Sequence, residues 1–135
     1  EWYFGYASPN SDLTCEDFRS RDLFWDQNKH ARKFFEDYIP FWKMEPADEL
    51  ITDTLSYCLA LKDQVYVVYR PQYVGNTTLD IGTSGKEFNI KWYNPRTGEG
   101  LVNGSQEKVF ANGVISIGFP PEDRDQDWVT LLTVE

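Results

Sequence analysis

The chain has 135 residues and a formal net charge of −9, and 16% of its residues are aromatic. This length suits one compact domain with an appendage, and it is sufficient to bury a hydrophobic core. The acidic balance argues against nucleic acid and anionic membrane surfaces as partners, because both require basic patches, and no apolar stretch reaches the ~18–20 residues of a membrane span.

The first 46 residues predict a short strand, a loop and one helix. Residues 2–6 are apolar and β-prone. Thr14 and Asp17 have the spacing of a capping box, in which each side chain binds a backbone N–H at the start of a helix. From Phe18 onwards, apolar residues recur at a broad helical spacing while charged residues fill the other side. Pro40 then ends the predicted helix.

Residues 47–135 predict an antiparallel sheet. Period-two alternation and frequent turn residues indicate strands at 55–61, 65–69, 77–81, 88–93, 114–118 and 128–134. The polar segment 62–64 predicts a turn between the first two of these strands. Asn103-Gly104 and Asn112-Gly113 are hairpin signals, because both dipeptides tolerate positive φ. With no helical period after residue 50, the pattern predicts a mainly β fold, namely an antiparallel two-sheet sandwich with an N-terminal α-helix packed on it.

The most informative local segment is the loop that follows the predicted strand 88–93. Alternation along this strand places Trp92 and Tyr93 on opposite faces. Proline then stops the strand, so that residues 94–98 form a rigid loop carrying Arg96. We interpret Trp92 as a core residue, whereas Tyr93 can be either a core residue or an exposed contact. Arg96 can bind a carboxylate or a sugar hydroxyl, or it can tie its loop to backbone carbonyls.

Three residues form the candidate ligand-binding set. Tyr93 and Arg96 lie at a strand end and in the loop after it, and Tyr73 lies in the polar loop 71–75. Rigid scaffolds usually present recognition groups at such positions. A flat aromatic face binds sugar rings or the proline faces of an extended peptide, and a neighbouring arginine suits either ligand. The sequence therefore predicts a ligand contact at Tyr73, Tyr93 and Arg96.

An acidic run is the one candidate metal segment. Asp123, Asp125 and Asp127 resemble the start of a calcium loop. An EF-hand would continue with glycine and glutamate, but these positions hold Trp128 and Val134. We therefore favour a solvated turn over an irregular calcium site, and no metal ligand is assigned.

No other pattern indicates catalysis or a cofactor. His30 is the single histidine, which makes a zinc site unfavourable. We interpret Cys15 and Cys58 as two small buried residues. A disulfide between them stays an open alternative if the protein is secreted. The sequence contains no phosphate-binding glycine loop, no Gly-x-Ser-x-Gly and no patterned pair of carboxylates. We predict a chain that is not itself an enzyme and holds no cofactor.

Two parts of the chain resemble known families. Residues 12–26 (Asp-Leu-Thr-Cys-Glu-Asp-Phe-Arg-Ser-Arg-Asp-Leu-Phe-Trp-Asp) and 39–42 (Ile-Pro-Phe-Trp) resemble the end of an apiosidase-like (β/α)8 barrel of bacterial polysaccharide-degrading proteins. Residues 57–132 resemble the small domain that follows this barrel, known as the putative collagen-binding domain of a collagenase. That match is carried by Val-Tyr-Val-Val-Tyr at 65–69, Trp-Tyr-Asn-Pro-Arg-Thr-Gly at 92–98, Pro120-Pro121 and Asp-Trp-Val at 127–129.

The resemblance implies a domain organisation. Residues 1–46 would be the remnant of the last barrel strand and helix plus a linker, with that helix at 16–38, and residues 47–135 would be the C-terminal β-sandwich domain. The catalytic acids would lie on earlier barrel strands that this chain does not contain. We therefore expect a piece of a larger, secreted or periplasmic glycoside-hydrolase-like protein.

The role of such a domain stays open between three classes. It can bind collagen or another protein, it can be a carbohydrate-binding module, or it can be a structural domain that braces the upstream catalytic barrel of the same chain. The predicted helix adds one expectation, because part of its apolar stripe would face the barrel. Trp25 and Phe35 should either pack into the core of this chain or leave an exposed patch that drives association.

Overall fold

A computed structural model describes residues 18–72 and 75–135 of the chain. The predicted strand at 2–6, the capping box of Thr14 and Asp17, Cys15 and Tyr73 lie outside the described residues. The helix α1 spans Asp22–Tyr38 and is too short and polar to cross a membrane, and the described residues hold no other candidate span. Nine strands follow within the described part: β1 Glu45–Pro46, β2 Tyr57–Leu61, β3 Val65–Arg70, β4 Thr78–Asp80, β5 Glu87–Tyr93, β6 Leu101–Val102, β7 Lys108–Phe110, β8 Val114–Ser116 and β9 Trp128–Val134.

The strands form two antiparallel sheets. In the large sheet the order is β1-β2-β3-β9-β5, and both β6 and β7 pair with the outer side of β5. The small sheet consists of β4 and β8. The large sheet does not close into a barrel, and the two sheets pack with an apolar core between them. The prediction of a two-sheet antiparallel sandwich with an N-terminal helix is confirmed.

The helix α1 begins later than the sequence predicted. Residues Phe18–Arg21 form a 3₁₀ turn, and α1 begins at Asp22 rather than at residue 16. Short 3₁₀ turns are frequent at the ends of α-helices. The C-terminal end agrees with the prediction, since α1 ends at Tyr38 and Ile39 is already extended before Pro40. A residue before proline is biased away from the helical conformation.

The predicted turn between the first two sheet strands is correct. In the β2–β3 hairpin, Gln64 N–H donates to the carbonyl of Leu61 at 3.0 Å, and Asp63 has a φ of 61°. The neighbouring Tyr66 hydroxyl accepts a hydrogen bond from the Asp63 N–H at 3.0 Å, which fixes the turn to strand β3. This hairpin sets the register of the first two full strands of the large sheet.

The two glycine dipeptides do not make hairpins, which corrects the sequence prediction. Asn112-Gly113 joins β7 of the large sheet to β8 of the small sheet, so this turn is a corner between layers. Asn103-Gly104 interrupts an edge strand, because β6 before it and β7 after it both pair with β5. A side chain at residue 104 would place its Cβ 2.3 Å from Nε1 of Trp92, so glycine is required there for close packing.

The large sheet has two faces with different neighbours. We call the surface toward the small sheet the inner face, and the surface toward α1 the helix face. The inner face holds Trp92, which is 0% exposed and confirms its assignment to the core. On the helix face, the side chains that pack together are Phe34, Ile39, Met44, Val67, Tyr93, Val129 and Leu131. As predicted, Trp92 and Tyr93 lie on opposite faces of β5.

Candidate functional site: a groove between the helix and the sheet

A groove of about 600 Å³ lies where α1 leaves the helix face uncovered. A single helix is roughly 10–12 Å wide with its side chains, so it covers only part of a sheet this broad. Gln27, Ala31 and Phe35 of α1 form one wall of the groove. The remaining walls are formed by strand and loop residues, chiefly Pro46, Asp48, Tyr57, Leu59, Tyr69, Pro95, Arg96 and Asp127.

Two tyrosines form an aromatic platform in this groove. Tyr57 and Tyr69 are direct cross-strand partners in the β2–β3 hairpin. Their ring centroids lie 6.5 Å apart and the ring planes differ by 21°. Tyr57 is 58% exposed and Tyr69 is 36% exposed. Neighbouring side chains on one face of a sheet are held close together, so the backbone holds the two rings as a stacked pair.

Carboxylates lie on two sides of the tyrosine platform. Asp48 accepts a hydrogen bond from the backbone N–H of Cys58 at 2.7 Å, which holds its side chain beside β2. Asp127 accepts a long hydrogen bond from the Tyr69 hydroxyl at 3.4 Å. Burial raises the pKa of Tyr69, and Asp127 raises this pKa further. The Tyr69 phenol therefore stays protonated at neutral pH and remains a donor.

Arg96 joins two loops at the rim of the groove. Its Nη1 donates to the backbone carbonyl of Asp127 at 2.7 Å and to the Asp127 carboxylate at 2.8 Å. Its Nη2 lies 3.4 Å from the Asp123 carboxylate, and its guanidinium carbon is 5.6 Å from the centroid of the Trp128 ring. Of the two roles considered for Arg96, the structure shows a loop tie. The backbone carbonyl that Arg96 binds is that of Asp127 in the acidic run. It is not a carbonyl of the loop that carries Arg96.

The loop that carries Arg96 is shaped by its neighbours in sequence. The Asn94 side chain accepts from the N–H of Arg96 at 3.0 Å, and the Asn94 carbonyl accepts from the N–H of Gly98 at 2.9 Å. Gly98 has a φ of 69° and packs against the His30 ring of α1, where a Cβ would come within 2.5 Å. The loop is thus held against the helix as well as against the acidic run.

The structure changes the interpretation of the candidate set Tyr73, Tyr93 and Arg96. Tyr93 is only 1% exposed, because α1 covers this part of β5. Its hydroxyl donates to the carbonyl of His30 at 2.9 Å, and its ring lies 4.9 Å from that of Phe34. Tyr93 therefore lines the groove as a buried side chain, and a ligand contact at Tyr93 stays a prediction. Arg96 lies at the groove rim, and a ligand contact at Arg96 or at Tyr73 stays a prediction.

Sequence reasoning missed the tyrosine platform, although a signal for it was present. Tyr57 and Tyr69 stand at equal distances before and after Asp63, the residue with positive φ in the predicted turn. In a hairpin, residues at equal distances from the turn become cross-strand partners. The register therefore pairs the two tyrosines. What the sequence did not indicate is that α1 leaves this pair open while it covers Tyr93.

The groove contains a thiol, but its chemistry is that of a buried structural residue. Cys58 is a free, buried cysteine. Burial, together with the nearby carboxylates of Asp48 and Glu49, raises the pKa of its thiol to about 12. The thiolate is the nucleophilic form of cysteine, and this form is not populated at neutral pH. Cys58 is therefore no candidate for covalent catalysis.

The acidic run serves as an arginine partner. Asp123 and Asp127 both pair with Arg96, and residues 122–126 are exposed. Within residues 18–72 and 75–135, no three histidine, cysteine or acidic side chains come together in a way that could hold a metal ion. The interpretation of this run as a solvated turn agrees with the structure, with the added function of holding the loop of Arg96.

The fold and the groove define an antiparallel β-sandwich domain with an open, aromatic-lined groove on its helix side. The profile of the family described as "Putative collagen-binding domain of a collagenase" matches residues 46–133, and the chain belongs to this family. No curated protein sequence matches the chain.

Several solved structures are similar to the chain, and two of them are glycoside hydrolases. One is described as "Glycoside hydrolase", with a TM-score of 0.66 and 17% identity over 89% of this chain and 28% of that one. The other is the crystal structure of a glycoside hydrolase family 5 from Bacteroides vulgatus ATCC 8482, with a TM-score of 0.59 and 16% identity over 82% of this chain and 24% of that one. At such identities the likeness shows the fold alone.

The extent of these matches is informative. The chain spans about a quarter of the length of both structures. Both matches cover a larger share of this chain than residues 46–133 do, so they include part of the segment before residue 46. The family and the β-sandwich fold are thus the two findings that the comparisons show for this chain.

Proposed function

We propose that this chain is a non-catalytic accessory domain of a larger extracellular or periplasmic bacterial glycoside hydrolase, in which it follows the catalytic barrel and braces it. The proposal is supported by the two similar structures, of which the chain spans about a quarter. The family description names a collagenase, an enzyme class that acts outside cells, and this supports the proposed location. The resemblance of residues 12–26 and 39–42 to the end of a barrel gives the proposed order of the two parts.

One observation carries the bracing role. Phe35, Phe41 and Trp42 form an exposed aromatic cluster at the C-terminal end of α1 and in the turn after it. The ring centroids of Phe35 and Phe41 lie 5.9 Å apart, and those of Phe41 and Trp42 lie 5.3 Å apart. Contiguous exposed apolar surface of this kind marks an interaction site. The cluster lies on the segment that we propose to be continuous with the barrel.

The exposure of Trp25 and Phe35 distinguishes between the two alternatives predicted for these side chains. Both side chains are exposed, so the alternative in which they pack into the core of this chain is wrong. Phe34, next to Phe35, is instead the α1 residue that is buried against the helix face. The exposed patch is therefore the outcome, and the association that it would drive stays a prediction.

The bracing role can be tested with two matched substitutions in the longer polypeptide. Trp42→Ser should lower the melting temperature of the catalytic barrel by several degrees, because it removes a contact between the two parts. The same substitution in the present chain alone should leave its melting temperature unchanged, because Trp42 is 68% exposed there. Phe110→Ser is the control, since Phe110 is similarly exposed but lies on the edge strand β7. A barrel whose melting temperature is insensitive to Trp42→Ser would contradict the proposal.

The non-catalytic character has its own test. The purified chain should not turn over a panel of aryl-glycosides or gelatin, because the groove offers a protonated thiol and carboxylates that already accept protein hydrogen bonds. Turnover that survives repurification and disappears in Asp48→Asn or Asp127→Asn would overturn this part of the proposal.

Ligand binding is a second candidate function, and the tyrosine platform is the observation that favours it. Collagen is the ligand named in the family description, and carbohydrate is the ligand class suggested by the association with glycoside hydrolases. Aromatic faces bind both sugar rings and proline-rich chains.

A further inference from the structure

We infer that the groove binds a neutral glycan chain, with sugar rings on Tyr57 and Tyr69 and sugar hydroxyls on Asp48 and Asp127. The inference deepens the ligand-binding part of the proposed function. It can be tested separately from the bracing role, because Tyr57 and Tyr69 do not belong to the exposed aromatic cluster and Trp42 does not line the groove, although Phe35 belongs to both surfaces.

The spacing of the platform suits linked sugar rings. The two tyrosine rings are nearly parallel, with centroids 6.5 Å apart. A polyproline II chain rises ~3.1 Å per residue with three residues per turn, so equivalent proline faces recur only every ~9 Å. Successive rings of a glycan chain lie closer together than this. The exposed surface of the stacked Tyr57–Tyr69 pair can therefore pack against a sugar ring of such a chain.

The hydrogen-bonding character of the rim also discriminates between ligands. The charged groups that line the groove are the carboxylates of Asp48 and Asp127, which are acceptors when ionised, and Arg96, which already donates to Asp127. Asp48 uses one oxygen to hold the Cys58 N–H, and a carboxylate has about four acceptor sites in total. Sugar hydroxyls are donors that match this capacity. A proline-rich chain presents mainly carbonyl acceptors, because proline has no N–H.

The charge of the groove argues for a neutral glycan. The chain has a net charge of −9, and two carboxylates lie beside the platform. Among the described residues that line the groove, the cation is Arg96, and it is already paired with Asp127 and Asp123. A polysaccharide that carries uronic acid or sulfate groups would therefore be repelled from this surface. An uncharged chain meets no such repulsion.

The binding groups are held in place before any ligand arrives. Tyr57 and Tyr69 stand on paired strands, and Arg96 orients the carboxylate of Asp127 at 2.8 Å. The opposite wall is Phe35, on a helix that is anchored by the buried Phe34. Side chains fixed by strands and by charge-assisted hydrogen bonds lose little conformational freedom on binding.

A binding experiment on the purified chain tests the inference. The probes are an array of neutral plant and microbial oligosaccharides, polygalacturonate as an anionic glycan, and a triple-helical Pro-Hyp-Gly peptide. At least one neutral oligosaccharide of three or more sugars should bind, with chemical-shift changes at Tyr57 and Tyr69. Tyr57→Ala and Tyr69→Ala should each weaken binding at least tenfold, whereas Tyr57→Phe should stay within about threefold. Phe110→Ala is the exposed-aromatic control and should change nothing.

Three outcomes would overturn the inference. They are an absence of binding to every neutral glycan, binding that is unchanged in both Tyr57→Ala and Tyr69→Ala, and binding of only the collagen-like peptide or only polygalacturonate. Melting temperatures of all variants keep a folding defect from being mistaken for a lost contact, and Tyr57 is exposed enough for its variants to fold. Trp42→Ser should leave glycan affinity unchanged, so that failure of this inference and failure of the bracing role give different results.

Discussion

The two faces of the large sheet are built from the same strands but are completed in different ways. On the inner face, Val68 and Leu132 are fully buried against the small sheet. On the helix face, α1 buries Tyr93 but leaves Tyr57 and Tyr69 open to solvent. The alternation of side chains along each strand is equally regular on both sides. The difference comes from the covering layer, which is the small sheet with its loops on one face and a single helix on the other.

This comparison separates the part of the molecule that provides stability from the part available for recognition. The inner face contains the larger of the two apolar clusters, in which Trp92 and Trp128 meet edge to face with centroids 6.3 Å apart. The helix face has a smaller cluster beside a groove lined by aromatic and charged side chains. Substitutions on the two faces should therefore differ in kind as well as in size.

The largest effect is expected for tryptophan on the inner face. Trp92→Ala should destabilise the domain by about 3–5 kcal/mol, because it removes a fully buried aromatic side chain and leaves a cavity. Trp42→Ala is the matched control and should change the free energy of unfolding by less than about 0.5 kcal/mol, since Trp42 is exposed. Urea unfolding of both variants provides the measurement. Similar losses for the two tryptophans would mean that the inner face is not the main source of stability.

An intermediate effect is expected for Tyr93, on the covered part of the helix face. Tyr93→Ala should cost about 2–4 kcal/mol, less than the loss at Trp92 because α1 can move to fill part of the space. Tyr93→Phe should cost about 0.5–1.5 kcal/mol, since it removes only the hydrogen bond to the His30 carbonyl. Amide hydrogen exchange should show faster exchange in α1 for both variants. Unchanged exchange in α1 would contradict the role of Tyr93 as the helix anchor.

A smaller effect than that of Tyr93→Ala is expected at the rim of the groove. Arg96→Gln should destabilise the domain by about 1–2 kcal/mol, because the charge-assisted bonds to Asp127 are lost while that residue stays partly buried. Arg124→Gln is the control and should cost less than about 0.5 kcal/mol, since Arg124 is exposed beside the Phe119 ring. Thermal unfolding at low and high salt measures both variants. A loss at Arg96 no larger than that at Arg124 would show that the loop tie contributes nothing.

The sequence predicted the sheet better than the helix face. Period-two alternation located the main strands, and it placed Trp92 and Tyr93 on opposite faces, because alternation is a local property of the backbone. Whether the Tyr93 side chain is buried depends on the tertiary structure. It depends on where α1 lies on the sheet, and no local pattern encodes that position. The interpretation of Arg96 stayed open for the same reason, since its partner Asp127 is distant in sequence.

The glycine turns show a second limit of sequence reasoning. Asn112-Gly113 has the residues of a hairpin turn, and Gly113 does adopt a φ of 84°. The strands on either side nevertheless pair with different partners, β7 with β5 and β8 with β4. A dipeptide that tolerates positive φ indicates that the chain changes direction. It does not report whether the chain returns to the same sheet.

The interruption of the edge strand at Asn103-Gly104 has a consequence for how copies of this chain can meet. Among the described residues, one edge of the large sheet consists of the two-residue strand β1 with Pro46, and the other consists of the short pieces β6 and β7. Neither edge offers a long straight row of free backbone groups, which is the template for adding a foreign strand. A domain this rich in exposed aromatics is thereby protected from fibrillar assembly, and any self-association should remain reversible and mediated by side chains.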